Sequence, residues 1–193
     1  PFDKILPEHF MPAFERGMSL HEAEIDAITS NKDEATFENT ILAYDNAGQM
    51  LAQTELVFGM LCAAETNDRM QALQEQAMPL LAAHRDKIRL DDKLFVRVKE
   101  VYDRRAALGL DAEQMRLLQK TYDSFVRAGA LLDAEQKARL KEINGQLSLT
   151  AVKFGNNILA ENNNFVLELK SDELDGLPAG IRDAAREKAQ RSE

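Results

Sequence analysis

Apolar residues recur along most of this chain at spacings of three and four residues, which is the period of an α-helix. The first such run predicts a helix that Pro12 could open and that ends near residue 30. Its inner face carries His21 on one stripe with Phe14, Met18, Ile25 and Ile28. The N-terminal pattern therefore predicts a helix with a histidine facing the core.

The same period predicts further helices up to residue 108. Residues 36–64 carry two apolar faces, which is typical of a helix packed between neighbours. Residues 67–90 form the next candidate, with a kink or a break expected at Pro79. Residues 92–108 form another, whose inner face carries Leu94, Val98, Val101 and Leu108.

Two later helices begin with the same four letters, DAEQ, at Asp111 and at Asp133. An aspartate followed three residues later by a glutamine is a capping box, in which each side chain satisfies a backbone amide of the other residue. Such a cap contributes about 1 kcal/mol. These are the most sharply defined helix boundaries in the sequence.

The helical period fails in the stretch GNNILAENNN, where Gly155 and several asparagines favour turns. Residues 165–169, FVLEL, alternate with the period of a β-strand and predict one short strand. A strand needs a pairing partner, and no partner is evident upstream, so we expect it beyond Glu193. We predict an all-α domain over residues 1–161, followed by a strand, a loop and a truncated helix over residues 162–193.

Charge and hydropathy narrow the possible partners. With 33 acidic and 24 basic side chains, the formal net charge of the 193 residues is -9, which disfavours nucleic acid and anionic membranes. No apolar run approaches the roughly 20 residues that span a bilayer, and the first residues lack the pattern of a secretory signal. We therefore expect a soluble, cytoplasmic protein, and we interpret the chain as a fragment of a longer one.

The stretch HEAEI at residues 21–25 differs by one residue from H-E-x-x-H, the zinc-protease motif, because Ile25 stands at the second histidine position. It is either a broken site, a site completed from elsewhere in the chain, or a chance match. Zinc needs three or four ligands, and besides carboxylates the chain offers His9, His21, Cys62 and His84. Ser19 and Glu22 also form the S-x-x-E pattern of a capping box, so a capping or packing role is favoured.

The remaining candidates have structural interpretations. His84 is flanked by charges and is expected to be solvated, whereas His9 precedes a helix and is expected to pack or cap. Cys62 lies in an apolar run and is expected to be a buried small hydrophobe. No G-x-S-x-G or phosphate-binding glycine motif occurs. We therefore predict no catalytic, cofactor-binding or metal-ligating residue in this chain.

The order of several segments resembles a known family. The segments HFMPAFERGM, TFENTILAYDNAG, FVRAGALL and LKEINGQLSLTAVKFGNNIL resemble the N-terminal helical part of the thimet oligopeptidase and oligopeptidase A family. The segments AAETND and RRAALGLD are similar to its peptidyl-dipeptidase branch, which releases C-terminal dipeptides. The resemblance extends over nearly the whole chain.

This resemblance implies a zinc metallopeptidase with a mostly helical fold, split by a deep channel that admits short peptides. It implies that the H-E-x-x-H helix lies after Glu193, in a C-terminal catalytic domain that would be the partner of this chain. No zinc ligand, general base or substrate-carboxylate ligand of the family maps onto a residue here, so zinc would belong to the parent protein and HEAEI would be a chance match. The chain would form a non-catalytic channel wall and would be inactive alone.

Two other interpretations stay open. The parent could be an oligopeptidase of the same family that cleaves internally, or the chain could be a free-standing helical module that binds another protein.

Overall fold

The computed structural model describes residues 2–192 and shows an all-α protein, as the hydrophobic period predicts. Short 3-10 turns at Phe2–Lys4 and Pro7–His9 precede the first long helix. A π-helical segment, Phe37–Leu42, leads into a short α2. The α-helices are α1 Phe10–Thr29, α2 Ala43–Asn46, α3 Gln49–Ala64, α4 Asp68–Arg89, α5 Asp92–Asp103, α6 Ala112–Arg127, α7 Ala134–Asn164 and α8 Ala179–Ser192.

The chain divides into two compact units, Pro1–Asn156 and Asn157–Glu193, and the division falls within α7. The first unit contains two hydrophobic clusters. The N-terminal cluster joins the first half of α1 to α3 and α4, through Phe10, Phe14, Leu51, Phe58, Met70, Ala77 and Leu81. The central cluster joins the second half of α1 to the π-helical segment, α5 and α6, and its buried members include Ile25, Ile41, Val98, Leu118 and Phe125.

Both DAEQ caps are confirmed. A carboxylate oxygen of Asp111 accepts hydrogen bonds from the backbone N–H groups of Glu113 and Gln114, each at 2.9 Å. The Gln114 side chain accepts the Asp111 N–H at 3.1 Å in return. Asp133 and Gln136 make the same reciprocal pair, at 2.8 and 3.2 Å. These caps satisfy amides that the helix itself leaves unpaired.

The single helix predicted over residues 36–64 is wrong, because the structure interrupts it at Ala47 and Gly48. Gly48 has φ +74° and ψ 15°, a left-handed conformation that residues with a side chain rarely adopt. Its N–H donates a 2.6 Å hydrogen bond to Oε2 of Glu24 on α1. The break thus brings the start of α3 against α1. The break expected at Pro79 is likewise absent, since α4 continues through this residue.

The end of the chain also differs from the prediction. The helical pattern was expected to fail near Gly155, yet α7 continues to Asn164. Glycine and asparagine each cost at most about 1 kcal/mol in a helix, and a long helix that is already nucleated can extend through them. The strand predicted at residues 165–169 is wrong, because no regular structure forms there and residues 2–192 contain no strand to pair with it.

Within the described residues, none of the helices has the length and apolar character needed to cross a membrane.

Gly48 gives a test of the break between α2 and α3. A Cβ at this position would lie 3.0 Å from ring atoms of His21, in addition to the strain of a positive φ. We expect Gly48→Ala to lower the free energy of unfolding by about 2 kcal/mol in urea denaturation. Gly145→Ala is the matched control, because a Cβ there meets nothing within 4 Å on α7. It should stabilise the chain by about 0.5 to 1 kcal/mol, and equal effects of the two substitutions would contradict this account.

Candidate functional site

The structure brings together two histidines that lie 63 positions apart in the sequence. Nδ1 of His21 on α1 and Nε2 of His84 on α4 are 3.0 Å apart, a hydrogen bond in which one neutral ring donates to the other. The ring centroids are 5.0 Å apart with an interplanar angle of 59°. His84 is only 5% exposed, and His21 is partly buried. We refer to these two residues as the histidine pair.

The histidine pair lies where the two hydrophobic clusters meet. On α1 the inner stripe passes from Phe14 in the N-terminal cluster through His21 to Ile25 in the central cluster. On α4 it passes from Leu81 in the N-terminal cluster through His84 to Ile88 in the central one. Each helix therefore places one imidazole between the two clusters, where the rings face each other. The hydrogen bond between them pairs two polar nitrogens within the apolar stripes of α1 and α4.

Charged groups border the pair on one side. Oε1 of Glu22 lies 3.5 Å from Nδ1 of His84, and the other carboxylate oxygen of Glu22 forms a 2.8 Å ion pair with Lys87. Nδ1 of His84 is buried and has no hydrogen-bond partner among the described residues, so the Glu22 carboxylate is the acceptor that faces it. This arrangement favours a proton on Nδ1 of His84, which leaves Nε2 to accept from His21.

The surroundings shift the pKa values of these groups in a consistent direction. Burial lowers the pKa of His21, and the neighbouring His84 ring lowers it further, against the opposing effect of Glu24, Glu22 and Glu55. Burial also lowers the pKa of His84, and Glu22 partly opposes this. The hydrogen bond from Lys87 is the main reason that the pKa of Glu22 is lowered. Both imidazoles are therefore neutral at pH 7.

The donor set does not fit a zinc ion. Nε2 of His84 faces His21, whereas Glu22 approaches Nδ1 on the opposite side of the same ring. Two imidazole nitrogens and a carboxylate placed in this way do not converge on one point, and zinc needs at least three ligands that do. Across residues 2–192, no group of three or more His, Cys, Asp or Glu side chains is arranged to hold a metal ion.

The structure confirms some of the expectations for individual residues. His21 lies on the inner face of α1, as predicted. His9 takes a capping role, because its Nδ1 accepts the backbone N–H of Leu6 at 3.2 Å. Cys62 meets its expectation in part, because it packs against the N-terminal cluster but is only partly buried. Burial raises the pKa of its thiol, so the thiol is neutral and of low reactivity.

Other expectations are wrong. Ser19 and Glu22 do not cap a helix, because α1 runs without a break through both. His84 is not solvated but buried, since the charges on either side of it in sequence project away from the helix face that it occupies. One signal in the sequence identifies its position. His84 follows Ala77 and Leu81 and precedes Ile88 at helical spacing, which places it on the buried stripe of α4.

The lowered pKa values make the stability of the chain depend on pH. Both histidines bind a proton less readily in the folded state, so the unfolded chain takes up more protons as the pH falls below the ordinary value of 6.5. The free energy of unfolding should therefore decrease as the pH falls from 7 toward 5.5. We expect His84→Gln to lose about 1 kcal/mol less of its free energy of unfolding than the parent chain between pH 7 and pH 5.5, as measured by urea denaturation at each pH.

His9→Gln is the control for this experiment, because it removes the histidine that lies outside the pair and is exposed. If His84→Gln and the parent chain lost the same stability on acidification, the histidine pair would not be the source of the pH dependence.

Sequence comparison relates the chain to known peptidases. It is 23% identical to Oligopeptidase A of Escherichia coli K12 over 194 residues, which is 100% of this chain and 28% of that protein. It is 42% identical to Dipeptidyl carboxypeptidase of Escherichia coli K12 over 161 residues, which is 83% of this chain and 24% of that protein. Thimet-like oligopeptidase of Dictyostelium discoideum is 24% identical over 89% of the chain.

These comparisons confirm the family that the sequence segments resemble. No family model matches the chain. The chain spans about a quarter of the length of the curated relatives that it matches, and its similarity is therefore to one part of a larger peptidase.

Proposed function

We propose that this chain is a non-catalytic, channel-wall domain of a zinc-dependent peptidyl-dipeptidase that releases C-terminal dipeptides from short peptides. The observation that carries the proposal is the 42% identity to dipeptidyl carboxypeptidase over 83% of the chain. The resemblance of individual segments to the N-terminal part of this family supports a position of the chain before the catalytic domain. In this proposal residues 1–161 form the helical domain and residues 162–193 lead toward the catalytic domain.

The surface of the first unit supports a role as one wall of a larger fold. Helix α3 exposes apolar side chains, with Leu56 at 65% and Met60 at 53% relative exposure. Helix α7 exposes Leu147 at 62% and Phe154 at 65%. Exposed apolar side chains on two helices are typical of surfaces that pack against another domain or partner.

The proposed role of this chain is positioning and exclusion. Since the histidine pair does not fit zinc, we assign no step of the hydrolysis to residues of this chain. Zinc and the groups that activate water belong, in this proposal, to the rest of the parent. A wall that holds the end of a peptide at a fixed distance from the reacting centre contributes through orientation, which can be worth several kcal/mol of the barrier.

The parent protein gives the direct test. We expect its coding frame downstream of Glu193 to contain an H-E-x-x-H motif and a further glutamate. Purified parent should release dipeptides in succession from the C-terminus of a short peptide, as followed by mass spectrometry. A chelator should abolish the release and added zinc should restore it, whereas the 193-residue chain alone should release nothing.

Each other result has a defined meaning. Internal cleavage by the parent would favour an oligopeptidase of the same family. Chelator-sensitive cleavage by the 193-residue chain alone would contradict the non-catalytic role. A downstream frame without a zinc motif would favour a helical interaction module.

A further inference from the structure

The histidine pair lies at the joint between two halves of the first unit. On α4 it is flanked by Leu81 of the N-terminal cluster and Ile88 of the central cluster, which are 0% and 5% exposed. Inside this apolar contact the link between α1 and α4 is the 3.0 Å hydrogen bond between Nδ1 of His21 and Nε2 of His84. The protonation of the two rings therefore decides whether the helices attract or repel each other at the joint.

A first added proton leaves this hydrogen bond intact. In the neutral pair Nδ1 of His21 carries the donated hydrogen, so Nε2 of His21 carries a lone pair. Within residues 2–192 this Nε2 has no hydrogen-bond partner, and it is not among the buried atoms that lack one, so it faces solvent. A proton that binds there leaves Nδ1 as the donor to His84. The positive charge on the donor ring then strengthens the hydrogen bond.

A second proton breaks the hydrogen bond. Nδ1 of His84 carries its proton toward the Glu22 carboxylate at 3.5 Å, so the lone pair that remains on His84 is the one at Nε2. This lone pair is the acceptor for His21, and a proton that binds there replaces the bond with two donors that face each other. The two rings are then both cations, and His84 is only 5% exposed to water that could screen them.

The charged groups around the pair balance one added positive charge and not two. Each carboxylate that faces the pair is already engaged by a donor. These contacts are Glu22 with Lys87, Glu24 with the backbone N–H of Gly48, and Glu55 with Arg85. The three carboxylates exceed the two cations by one charge, which matches a single imidazolium. Burial is the main cause that lowers the pKa of each histidine, and Lys87 lowers the pKa of His84 further.

We propose that the histidine pair is a two-step pH switch, in which a first proton on His21 keeps α1 and α4 joined and a second proton on His84 separates them. The N-terminal cluster then opens while the central cluster stays folded. The central cluster keeps its own interior between α5 and α6, where four side chains are each 0% exposed, namely Leu94, Val98, Leu118 and Phe125. The switch is built from this chain alone and needs neither zinc nor substrate.

Histidine side-chain NMR tests the order of the two steps. Ring ¹⁵N shifts distinguish an Nδ1–H ring, an Nε2–H ring and an imidazolium, and the chain has only three histidines to assign. We expect His21 to become an imidazolium at a higher pH than His84, which keeps its Nδ1–H form until it titrates. The proposal would be wrong if His84 titrated first, or if both rings titrated together with the exposed His9.

Hydrogen exchange tests the opening itself. Amide protection factors, which correct for the intrinsic effect of pH on exchange, are measured for α3 in the N-terminal cluster and for α6 in the central one. We expect the protection of α3 to fall at least about tenfold as His84 titrates, and that of α6 to change less than about twofold. Equal loss in both helices would show global unfolding and would overturn the local switch. Constant protection of α3 would overturn it as well.

Two variants test whether His84 is the group that opens the joint. His84→Gln retains an amide that can pair with His21 but binds no proton, and it should abolish the loss of protection in α3. His9→Gln should retain the loss, because His9 lies outside the pair. If the opening persisted in His84→Gln, the assignment would be contradicted.

Glu22→Gln keeps the proposal testable should His84→Gln fail to fold. The Glu22 carboxylate raises the pKa of His84, so its loss should move the opening of α3 to lower pH by at least about half a pH unit. Glu15→Gln is the matched control, because Glu15 is exposed on the same helix, and it should leave the midpoint unchanged. An unchanged midpoint in Glu22→Gln, or an equal shift in both variants, would contradict the switch.

Discussion

Phe125→Ala should cost about 3 to 5 kcal/mol of the free energy of unfolding, because it removes a large ring from a packed interior. Phe125 on α6 is 0% exposed and belongs to the central cluster. Its ring centroid is 5.2 Å from that of Tyr44 and 6.1 Å from that of Phe95. Since these two neighbours belong to different helices, α2 and α5, they can close only part of the cavity that alanine leaves.

Urea denaturation at pH 7 measures this effect. Phe154→Ala on α7 is the matched control, because its ring is 65% exposed and its removal creates no cavity. We expect the control to stay within about 0.5 kcal/mol of the parent chain. A loss below about 1 kcal/mol for Phe125→Ala would mean that the ring is not packed as described.

Arg97→Met is expected to cost about 3 kcal/mol, since it removes a buried charged donor from three hydrogen bonds that hold a distant loop. Arg97 on α5 is 9% exposed, and its guanidinium donates to the backbone oxygens of Asn31 and Asp33 at 2.9 and 3.1 Å. A third hydrogen bond, of 3.2 Å, goes to Oδ1 of Asn39 at the start of the π-helical segment. Methionine has a similar length and no donor, so the substitution tests these hydrogen bonds more than it tests volume.

Lys93→Met is the control for this substitution, because Lys93 is exposed on the same helix. It should change the free energy of unfolding by less than about 0.5 kcal/mol. Hydrogen exchange gives a second measurement, since loss of the Arg97 hydrogen bonds should raise the exchange rate of residues 31–39 selectively. If Arg97→Met were as stable as Lys93→Met, the loop would be held by other contacts.

Local patterns predicted much of the fold. The period of apolar residues predicted the bounds of α1 and α4, and the start of α5, to within a few residues, because burial of one helix face requires that period. The end of α5 was predicted at residue 108, but the helix ends at Asp103. Asp111 and Asp133 marked two helix starts, since a capping box depends on residues only three positions apart. Where local preference was weak, the prediction failed. The asparagines after Gly155 suggested a turn, yet α7 extends through them.

The candidate site could be predicted only in part. The apolar stripe placed His21 on the inner face of α1, and the same reasoning applied to α4 would have placed His84 inside. The contact between the two rings depends on how α1 and α4 cross, and periodicity carries no information about crossing. For the same reason the near-match HEAEI could not be judged from its letters, because a metal site depends on donors converging in space.

The sequence by itself determined the all-α class, the two capped helix starts, the acidic charge and the relationship to a family of peptidases, because each of these depends on composition, short spacings or the order of residues. The tertiary structure alone decided that His21 meets His84, that Gly48 breaks a predicted helix and that Arg97 holds a distant loop. These features join residues far apart in the chain, and their partners are set by helix packing, which no local pattern encodes.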